Sequence, residues 1–211
     1  MAQDLKLLLS DPSFAGYTDK QRAIVVSAID VFAAKGYANS STHEIAKRAG
    51  VAEGNIFSKF GSKRGLLDAI IQPVLRSIFP DMVHNLQTED LQRHYASLRD
   101  FIGTIVSKRY QFVQQNARVM KIFLAEVMYN NDLRQKVVSR FPTGYWQLLF
   151  GEFDDLRSRG LLVDWDNTTV MFYLLATAAG IIGGAMLFDQ SIAPHTQSQI
   201  IDALARALSP A

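Results

Sequence analysis

The sequence predicts an all-α protein of about nine helices, and three observations support this fold class. Strand signals are poor, because no alternating apolar run is bounded by an Asn-Gly or Asp-Gly turn. Apolar residues recur instead at helical spacing along most of the chain. Helix start signals of the form Ser/Thr-x-x-Glu/Gln, and glycine stop signals, separate the apolar patterns.

The first predicted helix begins near Asp19, because Thr18 and Gln21 form a capping box, and Gly36 ends it. A second box, Ser41 to Glu44, opens the next helix, which Gly50 ends. Two further helices follow, and prolines at positions 73 and 80 are expected to kink and then end the second of them. The predicted bounds are residues 19–35, 42–49, 53–60 and 63–80.

Longer helices are predicted beyond residue 80, since apolar residues continue at helical intervals. Pro142 suits the first turn of one of them, and Pro194 precedes the last. The predicted bounds are residues 91–115, 117–129, 133–141, 142–159, 166–188 and 196–208.

Composition is that of an ordinary globular protein, since 48% of the 211 residues are hydrophobic and 20% are charged. The absence of cysteine excludes disulfides, thiol nucleophiles, zinc ribbons and iron–sulfur clusters. No secretory signal is recognisable near Met1, so we expect a cytoplasmic protein. No cofactor is expected either.

One uncharged stretch, residues 167–188, is long enough to span a bilayer. Its charged bounds, Asp166 and Asp189, are both acidic, no Lys or Arg lies near either end, and no aromatic belt with basic anchors is present. Gly180 and Gly184 form a G-x-x-x-G spacing, which lets two helices approach closely. We favour a packing helix in an oligomer over a membrane span.

Three short helices near the N-terminus have the spacing of a helix-turn-helix, with residues 50–52 as the turn. Ile45, Ala46, Val51 and Ile56 are the apolar contacts expected to fix the angle between the second and third helices. The third helix is short and polar on one side, as a helix that reads the major groove must be.

These residues resemble the DNA-binding domain of the tetracycline-repressor (TetR) family of bacterial transcription regulators. The resemblance covers about residues 20–67. It rests on residues 22–24, Ala28, Phe32, 36–37, 41–57, 60–63, Leu66 and Leu67. It implies a DNA-binding domain over residues 1–67 (core 19–64), and a ligand-binding and dimerisation domain over residues 68–211. It also implies a homodimer that binds a palindromic double-stranded DNA operator.

The resemblance further implies which residues touch DNA. Those carried over are Thr42, His43, Glu53, Gly54, Asn55, Phe57, Ser58, Lys59 and Lys63. At position 57 the family usually has tyrosine, whose hydroxyl can reach a phosphate, whereas phenylalanine can only pack. One backbone contact is therefore in doubt, but the fold is not.

Side-chain chemistry supports these assignments independently. Asn55 can pair bidentately with adenine, and Glu53 can accept a hydrogen bond from cytosine N4. Five basic residues are candidates for phosphate neutralisation: Lys47, Arg48, Lys59, Lys63 and Arg64. The net charge of the whole chain is +2, but residues 20–67 alone carry +5, so the positive charge coincides with the helix-turn-helix.

The second half is expected to sense a small, largely apolar effector and to dimerise, as the resemblance implies. Candidate effector contacts are Phe101, Arg118, Phe123, Glu126, Tyr145, Trp146, Phe150 and Tyr173. Arg118 or Lys121 is the expected partner of Glu126. Candidate dimer contacts are Ala176, Gly180, Gly183, Gly184, Ile200 and Leu204.

The predicted function is that of a ligand-responsive repressor, and no enzymatic activity is expected because the motifs of common enzyme classes are missing. A metal site using His84 and His94 is disfavoured, since both are expected at surface or junction positions. Two alternatives remain. One is a helical small-molecule-binding or catalytic protein that retains a degenerate helix-turn-helix, and the other is a membrane-associated helical protein.

Overall fold

The computed structural model describes residues 5–91, 93–140, 144–187 and 192–210, and these residues form helices without any strand. The predicted all-α class is confirmed. The helices are α1 (Lys6–Leu9), α2 (Asp19–Lys35), α3 (Thr42–Ala49), α4 (Gly54–Phe60), α5 (Lys63–Pro73), α6 (Phe79–Asn85), α7 (Leu98–Gln115), α8 (Ala117–Tyr129), α9 (Asn131–Val138), α10 (Tyr145–Ser158), α11 (Asn167–Leu187) and α12 (Pro194–Leu208).

Capping determines where the N-terminal helices begin and end. Thr18 and Gln21 form the predicted capping box at the start of α2, and the Ser41 side chain accepts a hydrogen bond from the Glu44 amide at the start of α3. Gly36 and Gly50 follow the last residues of these helices with positive φ angles, which glycine adopts without steric cost. The local sequence signals therefore place both helices correctly.

Several predicted bounds differ from the structure. Pro80 does not end the fourth predicted helix, because α6 passes through it to Asn85 after a π-helical turn at Val74–Ile78. The helix expected from residue 91 begins at Leu98, and the one expected over residues 133–141 is α9. The start expected at Pro142 lies outside the described residues, as does the end expected at residue 188.

The chain divides into two compact units. Unit 1 comprises residues 1–82 and 115–140, and unit 2 comprises residues 83–114 and 141–211. These units differ from the predicted domains 1–67 and 68–211. The difference arises because α8 and α9 are grouped with the N-terminal helices, although 32 residues of unit 2 precede them in the sequence.

Unit 1 has a continuous aliphatic core contributed by α2, α3, α4 and α5. Fully buried members include Ile24, Val25, Ile29, Ile45, Ile56, Leu66, Leu67 and Ile70. Burial of each such side chain contributes about 1.5–3 kcal/mol relative to exposure. These buried side chains therefore hold α3 and α4 against α2 and α5.

An N-terminal segment, for which the sequence predicted no helix, also packs onto unit 1. Leu5, Leu8 and Phe14 are almost completely buried. The Arg22 guanidinium in α2 donates a 2.5 Å hydrogen bond to the Phe14 carbonyl. The Asp11 carboxylate accepts a 2.8 Å hydrogen bond from the Ser77 hydroxyl. The segment therefore connects α2 to the π-helical turn that follows α5.

Unit 2 combines apolar packing with a buried charge cluster. The Asp90 carboxylate is 1% exposed and accepts hydrogen bonds from Lys108 and Arg109 of α7. The backbone amide of Val163 donates to the Leu208 carbonyl, which attaches the end of α12 to the segment before α11. In the charge cluster, Lys108 and Arg109 offset the free-energy cost of removing the Asp90 carboxylate from water.

Candidate nucleic-acid interface and ligand-binding residues

The turn between α3 and α4 has the geometry of a helix-turn-helix. Gly50 adopts a left-handed conformation with φ of +66°, and the Val51 amide donates to the Ala46 carbonyl at 3.1 Å. Ala46 is 2% exposed and Ile56 is completely buried, as the apolar pattern predicted. The turn and these contacts set the angle at which α4 leaves α3.

The exposed face of α4 consists of the residues that the sequence assigned to DNA. Gly54, Asn55, Phe57, Ser58 and Lys59 are all exposed, whereas Ile56 faces the core. Phe57 leaves 48% of its surface exposed, so its ring is available for contact although it has no hydroxyl. A short helix with one buried side and one polar, exposed side can enter a major groove.

Glu53 is oriented by the start of α3. The Thr42 hydroxyl donates a 2.5 Å hydrogen bond to Glu53 Oε1, and His43 Nδ1 lies 3.6 Å from Glu53 Oε2. The structure therefore brings three predicted DNA-binding residues together where α3 and α4 begin. A carboxylate held in this way can accept a hydrogen bond from a cytosine amino group without first being ordered.

The Asn55 side chain forms a local hydrogen bond. Its Nδ2 donates to the Ala52 carbonyl at 3.1 Å. The amide oxygen is not used in that contact. Bidentate recognition of adenine uses both the amide oxygen and the amide nitrogen, so Asn55 must exchange its local bond for a base contact.

Lys63 has a structural role that the sequence did not reveal. Its Nζ donates to the Ser40 carbonyl at 2.6 Å and lies 4.4 Å from the centre of the Tyr37 ring. Lys63 therefore connects the first residue of α5 to the turn immediately before α3. A second, longer contact of 3.5 Å joins Nζ to the Ala38 carbonyl, and because an ammonium has three donors, one proton remains for a phosphate.

The other candidate cations fall into two groups. Lys47 is exposed, and Lys59 lies 4.2 Å from the centre of the Tyr17 ring while remaining exposed. Arg48 pairs with Asp30 of α2, and Arg64 pairs with Asp68 and Glu126. The second group already has carboxylate partners, so the structure favours Lys47 and Lys59 for phosphate contacts.

Two effector candidates on α8 contact the helix-turn-helix helices. Arg118 hydrogen-bonds to Asp30 of α2, the carboxylate that also pairs with Arg48 of α3. Glu126 accepts a 2.8 Å hydrogen bond from Arg64 of α5. The partner expected for Glu126, Arg118 or Lys121, is therefore corrected to Arg64. The two residues are 62 positions apart, and no local pattern connects them.

The aromatic candidates in unit 2 form a continuous series of ring contacts. Ring centroids are 4.8 Å apart for Tyr145–Trp146, 6.4 Å for Trp146–Phe150 and 6.2 Å for Phe150–Phe153. Phe101 joins the series through Phe153 at 6.1 Å, and Tyr95 joins through Phe101 at 5.3 Å. The sequence analysis missed Tyr95 and Phe153. Phe153 lies one helical turn after Phe150 in α10, whereas Tyr95 precedes α7 and no helical spacing connects it to a selected residue.

Polar groups adjoin this aromatic series. Burial raises the pKa of the Tyr145 hydroxyl, and the positive charge of Arg109 opposes that shift. Burial likewise lowers the pKa of Arg109, against the opposing charge of Asp90. Arg109 was not selected from the sequence, because an arginine in an amphipathic helix is normally a surface residue.

The eight effector candidates do not all lie in one unit. Arg118, Phe123 and Glu126 belong to unit 1, whereas the other five belong to unit 2. Tyr173 contacts Trp165, with ring centroids 6.2 Å apart. A groove of about 840 Å³ in unit 2, lined by residues such as Arg99, Gln199 and Arg206, contains none of the eight. Their role in effector binding stays a prediction.

Helix α11 presents an apolar face that the described residues do not cover. Phe172, Tyr173 and Leu175 are 63%, 41% and 51% exposed. A Cβ atom added at Gly180, Gly183 or Gly184 would meet no atom within 4 Å. Of the other predicted dimer residues, Ala176 is exposed and Ile200 half-buried, whereas Leu204 is buried in its own unit.

By length and composition, α11 is also long and apolar enough to cross a bilayer. The window Asn167–Gly184 meets that criterion, and 11% of it is buried. The core helix of a soluble protein can meet the same criterion, so this is weak evidence for a membrane span. The uncovered face nevertheless needs a partner surface.

Comparisons with known proteins agree with this geometry. Residues 24–70 match the family model described as bacterial regulatory proteins, tetR family. The fatty acid metabolism regulator protein of Bacillus subtilis (strain 168) is 26% identical over 133 residues, which are 63% of this chain and 65% of that protein. The HTH-type transcriptional regulator BetI 1 of Chromohalobacter salexigens is 30% identical over 106 residues, half of each chain.

A solved structure is similar along almost its whole length. It is the transcriptional regulator FadR from Bacillus subtilis in complex with stearoyl-CoA, with a TM-score of 0.56 and 22% sequence identity. The alignment covers 89% of this chain and 97% of that one. At this identity the likeness shows a shared fold. The sequence alignments span less than two thirds of either curated relative.

Proposed function

We propose, because the chain belongs to the tetR family of bacterial regulatory proteins, that it is a ligand-responsive transcriptional regulator that binds specific DNA sequences. The observation that carries this proposal is the exposed polar face of α4, on which Gly54, Asn55, Ser58 and Lys59 lie beside the oriented carboxylate of Glu53. Base-edge contacts from these side chains supply specificity, and the surrounding lysines supply affinity.

The charge distribution supports DNA as the partner. Unit 1, which contains the helix-turn-helix, carries a net charge of +5, and unit 2 carries −3. Phosphate contacts by lysine and arginine release counterions, so affinity for DNA falls as salt rises. A protein of this kind acts in the cytoplasm, where the DNA is.

The proposed effector is an acyl-CoA or a similar molecule with a long apolar chain. One relative is named as a fatty acid metabolism regulator, and the similar FadR structure holds stearoyl-CoA. The aromatic series from Tyr145 to Phe101 offers apolar contacts suited to such a chain. If effector and operator favour different conformations, each weakens the binding of the other, and the effector then relieves repression.

The proposed assembly is a homodimer formed through α11 and α12. Exposed apolar side chains and glycines on α11 provide the close-packing surface that such an interface needs. Ala176, Gly180, Gly183 and Gly184 of α11 are the proposed contacts, together with Ile200 of α12. Two DNA-binding heads, that is, the helix-turn-helix of each protomer, related by two-fold symmetry would match a palindromic operator.

The relatives are transcriptional regulators, and the proposal includes no enzymatic activity. A small-molecule-binding protein with a degenerate helix-turn-helix is the competing candidate. It predicts effector binding without any DNA binding at low salt. The oriented Glu53 and the exposed Asn55 favour the regulator, since a degenerate head has no reason to keep these side chains in place.

The test is a footprint on the DNA that flanks the protein's own gene, measured over a salt series. We expect a protected palindrome, and we expect stearoyl-CoA to release it while coenzyme A without the acyl chain does not. Asn55→Ala should reduce binding to the palindrome by the equivalent of about 1–3 kcal/mol per head while leaving binding to random DNA unchanged.

The control is Ser13→Ala, which removes an exposed hydroxyl that hydrogen-bonds to Asp11 in the N-terminal segment. It should leave both the footprint and its release unchanged. An absence of protection on any DNA at low salt would overturn the proposed function, whereas protection without release by stearoyl-CoA would overturn only the effector class.

A further inference from the structure

Helix α9 and the residues just beyond it carry exposed basic side chains in the same unit as the helix-turn-helix, and the predicted site did not include them. Arg134, Lys136 and Arg140, on α9 and just beyond it, are all exposed. Leu133 is 6% exposed and anchors the helix, so its polar side is directed to solvent. The Asn130 side chain caps α9 by accepting a hydrogen bond from the Leu133 amide.

The end of α8 fixes where this surface lies in unit 1. Glu126 is hydrogen-bonded to Arg64 in the first turn of α5. The adjacent Lys63 donates to the Ser40 carbonyl, which immediately precedes the cap of α3. The end of α8 thus lies beside the turn that leads into α3, where Thr42 and His43 are predicted to meet DNA. Helix α9 starts only five residues after Glu126.

The distribution of charge within unit 1 also favours a DNA contact in this part of the chain. Residues 115–140 contain five basic and two acidic residues, a net charge of +3, whereas residues 1–82 contribute only +2 to unit 1. More than half of the net positive charge of unit 1 therefore comes from α8, α9 and their flanking residues. Apart from Arg118, which pairs with Asp30, these cations are exposed.

Exposed side chains with apolar surface adjoin the cations. Tyr129 is 89% exposed, Met128 is 71% exposed and Val138 is 64% exposed. A tyrosine this exposed has its hydroxyl free to donate to a phosphate and its ring free to pack against sugar. Basic side chains interleaved with exposed aromatic and apolar side chains can contact both the phosphates and the sugars of a nucleic-acid backbone. This surface therefore fits a nucleic acid better than it fits a purely acidic protein partner.

We propose that the Tyr129–Asn130 turn and α9, with Arg140, form a second DNA-backbone contact surface beside the helix-turn-helix. This inference rests on the proposed DNA-binding function. Its occupant is the phosphate backbone of duplex DNA flanking the base pairs that α4 reads. Such contacts add affinity without sequence information, and each releases about one counterion from the DNA.

The test compares two charge-matched variants in DNA-binding titrations over a salt series. The first is Lys136→Gln with Arg140→Gln on the proposed surface. The second is Arg93→Gln with Arg206→Gln, two exposed cations of unit 2. We expect the first variant to reduce the magnitude of the slope of log K against log salt by about 2 for each DNA-binding head. The second should retain the wild-type slope.

Further readouts separate this surface from a general loss of folding or of function. The first variant should weaken binding to the operator and to random duplex by the same factor, with an unchanged thermal transition. Tyr129→Phe removes the hydroxyl that the proposal places against a phosphate, so it should weaken binding to the operator and to random duplex DNA by the same factor.

The inference would be overturned if the first variant kept the wild-type salt dependence of DNA binding. It would also be overturned if both charge variants reduced that salt dependence equally. Normal DNA binding by the first variant, combined with loss of binding to an acidic protein, would assign the surface to that protein instead. Failure of the wild-type protein to bind any DNA would reject the proposed function itself.

Discussion

The Arg64 guanidinium donates a 2.8 Å hydrogen bond to the Glu126 carboxylate, and this contact joins α5 of the helix-turn-helix unit to α8. Burial alone would lower the pKa of Arg64, but the hydrogen bond to Glu126 and the charge of Asp68 outweigh it and raise that pKa. A second link, from Arg118 to Asp30, holds the other end of α8 against α2. Displacement of α8 would therefore move the helices that position α4.

A double-mutant cycle of Arg64→Gln and Glu126→Gln tests the first link. We expect a coupling energy of about 1 kcal/mol in urea unfolding, because Glu126 is largely buried while Arg64 is partly exposed. The control is the more exposed Lys35–Glu44 pair, for which we expect less than about 0.5 kcal/mol. Equal coupling in both pairs would contradict a special role for the α5–α8 contact.

Replacement of Lys63 by alanine should affect both DNA binding and local order. The variant loses a phosphate contact, so the salt slope should fall by about 1 for each head. It also loses the hydrogen bond to Ser40 that holds the turn before α3. Lys47→Ala serves as the comparison, since it should lower the slope without lowering the free energy of unfolding. An unchanged slope in Lys63→Ala would remove this residue from the interface.

Gly65→Ala should destabilise the connection between α4 and α5. A Cβ atom at this position would lie 2.0 Å from the Phe60 carbonyl oxygen, so the backbone must shift. We expect a loss of about 1–3 kcal/mol in the free energy of unfolding, together with weaker DNA binding. Gly151→Ala in α10 meets no atom within 4 Å and should be neutral or slightly stabilising. Equal stability of the two variants would refute the close approach.

Gly184→Leu should weaken the proposed dimer. The position lies in α11, where an added Cβ meets no atom of the described residues within 4 Å, so we expect the leucine to leave the monomer fold intact. We expect a shift toward monomer in analytical ultracentrifugation and a matching loss of operator affinity. Gly151→Leu on α10 is the control for a bulky residue. A fully dimeric Gly184→Leu protein would place the interface elsewhere.

The Glu152 carboxyl should make stability depend on pH in an unusual direction. Among the described residues, its Oε1 is buried without a hydrogen-bond partner. Burial raises its pKa, with a further contribution from Asp155, against the opposing charges of Arg159 and His94. A raised folded-state pKa gives stabilisation that is complete below the unfolded-state pKa and is lost as pH rises through the folded-state value.

Glu152→Gln should therefore raise the Tm at pH 7 by roughly 2–4 °C, and the gain should shrink toward acidic pH. Differential scanning calorimetry at several pH values measures both effects. The control Glu89→Gln changes a mostly exposed carboxylate and should leave the Tm almost unchanged. A gain that grows as pH falls would mean that the sign of the shift is wrong.

Local sequence signals were sufficient for the helix-turn-helix. Capping boxes and stop glycines act within a few residues, so the bounds of α2 and α3 and the exposed face of α4 follow from the sequence. Prolines were less reliable. Pro80 is the second residue of α6, which directly follows the π-helical turn at Val74–Ile78, and it does not end the helix.

Contacts between distant residues followed a different rule. The sequence by itself determined the all-α class, the recognition helix and the apolar character of α11, because each depends on spacing within one segment. Only the tertiary structure decided that Lys63 supports the turn before α3 and that Glu126 pairs with Arg64. These contacts join residues 23 or more positions apart, and no spacing within a single helix encodes them.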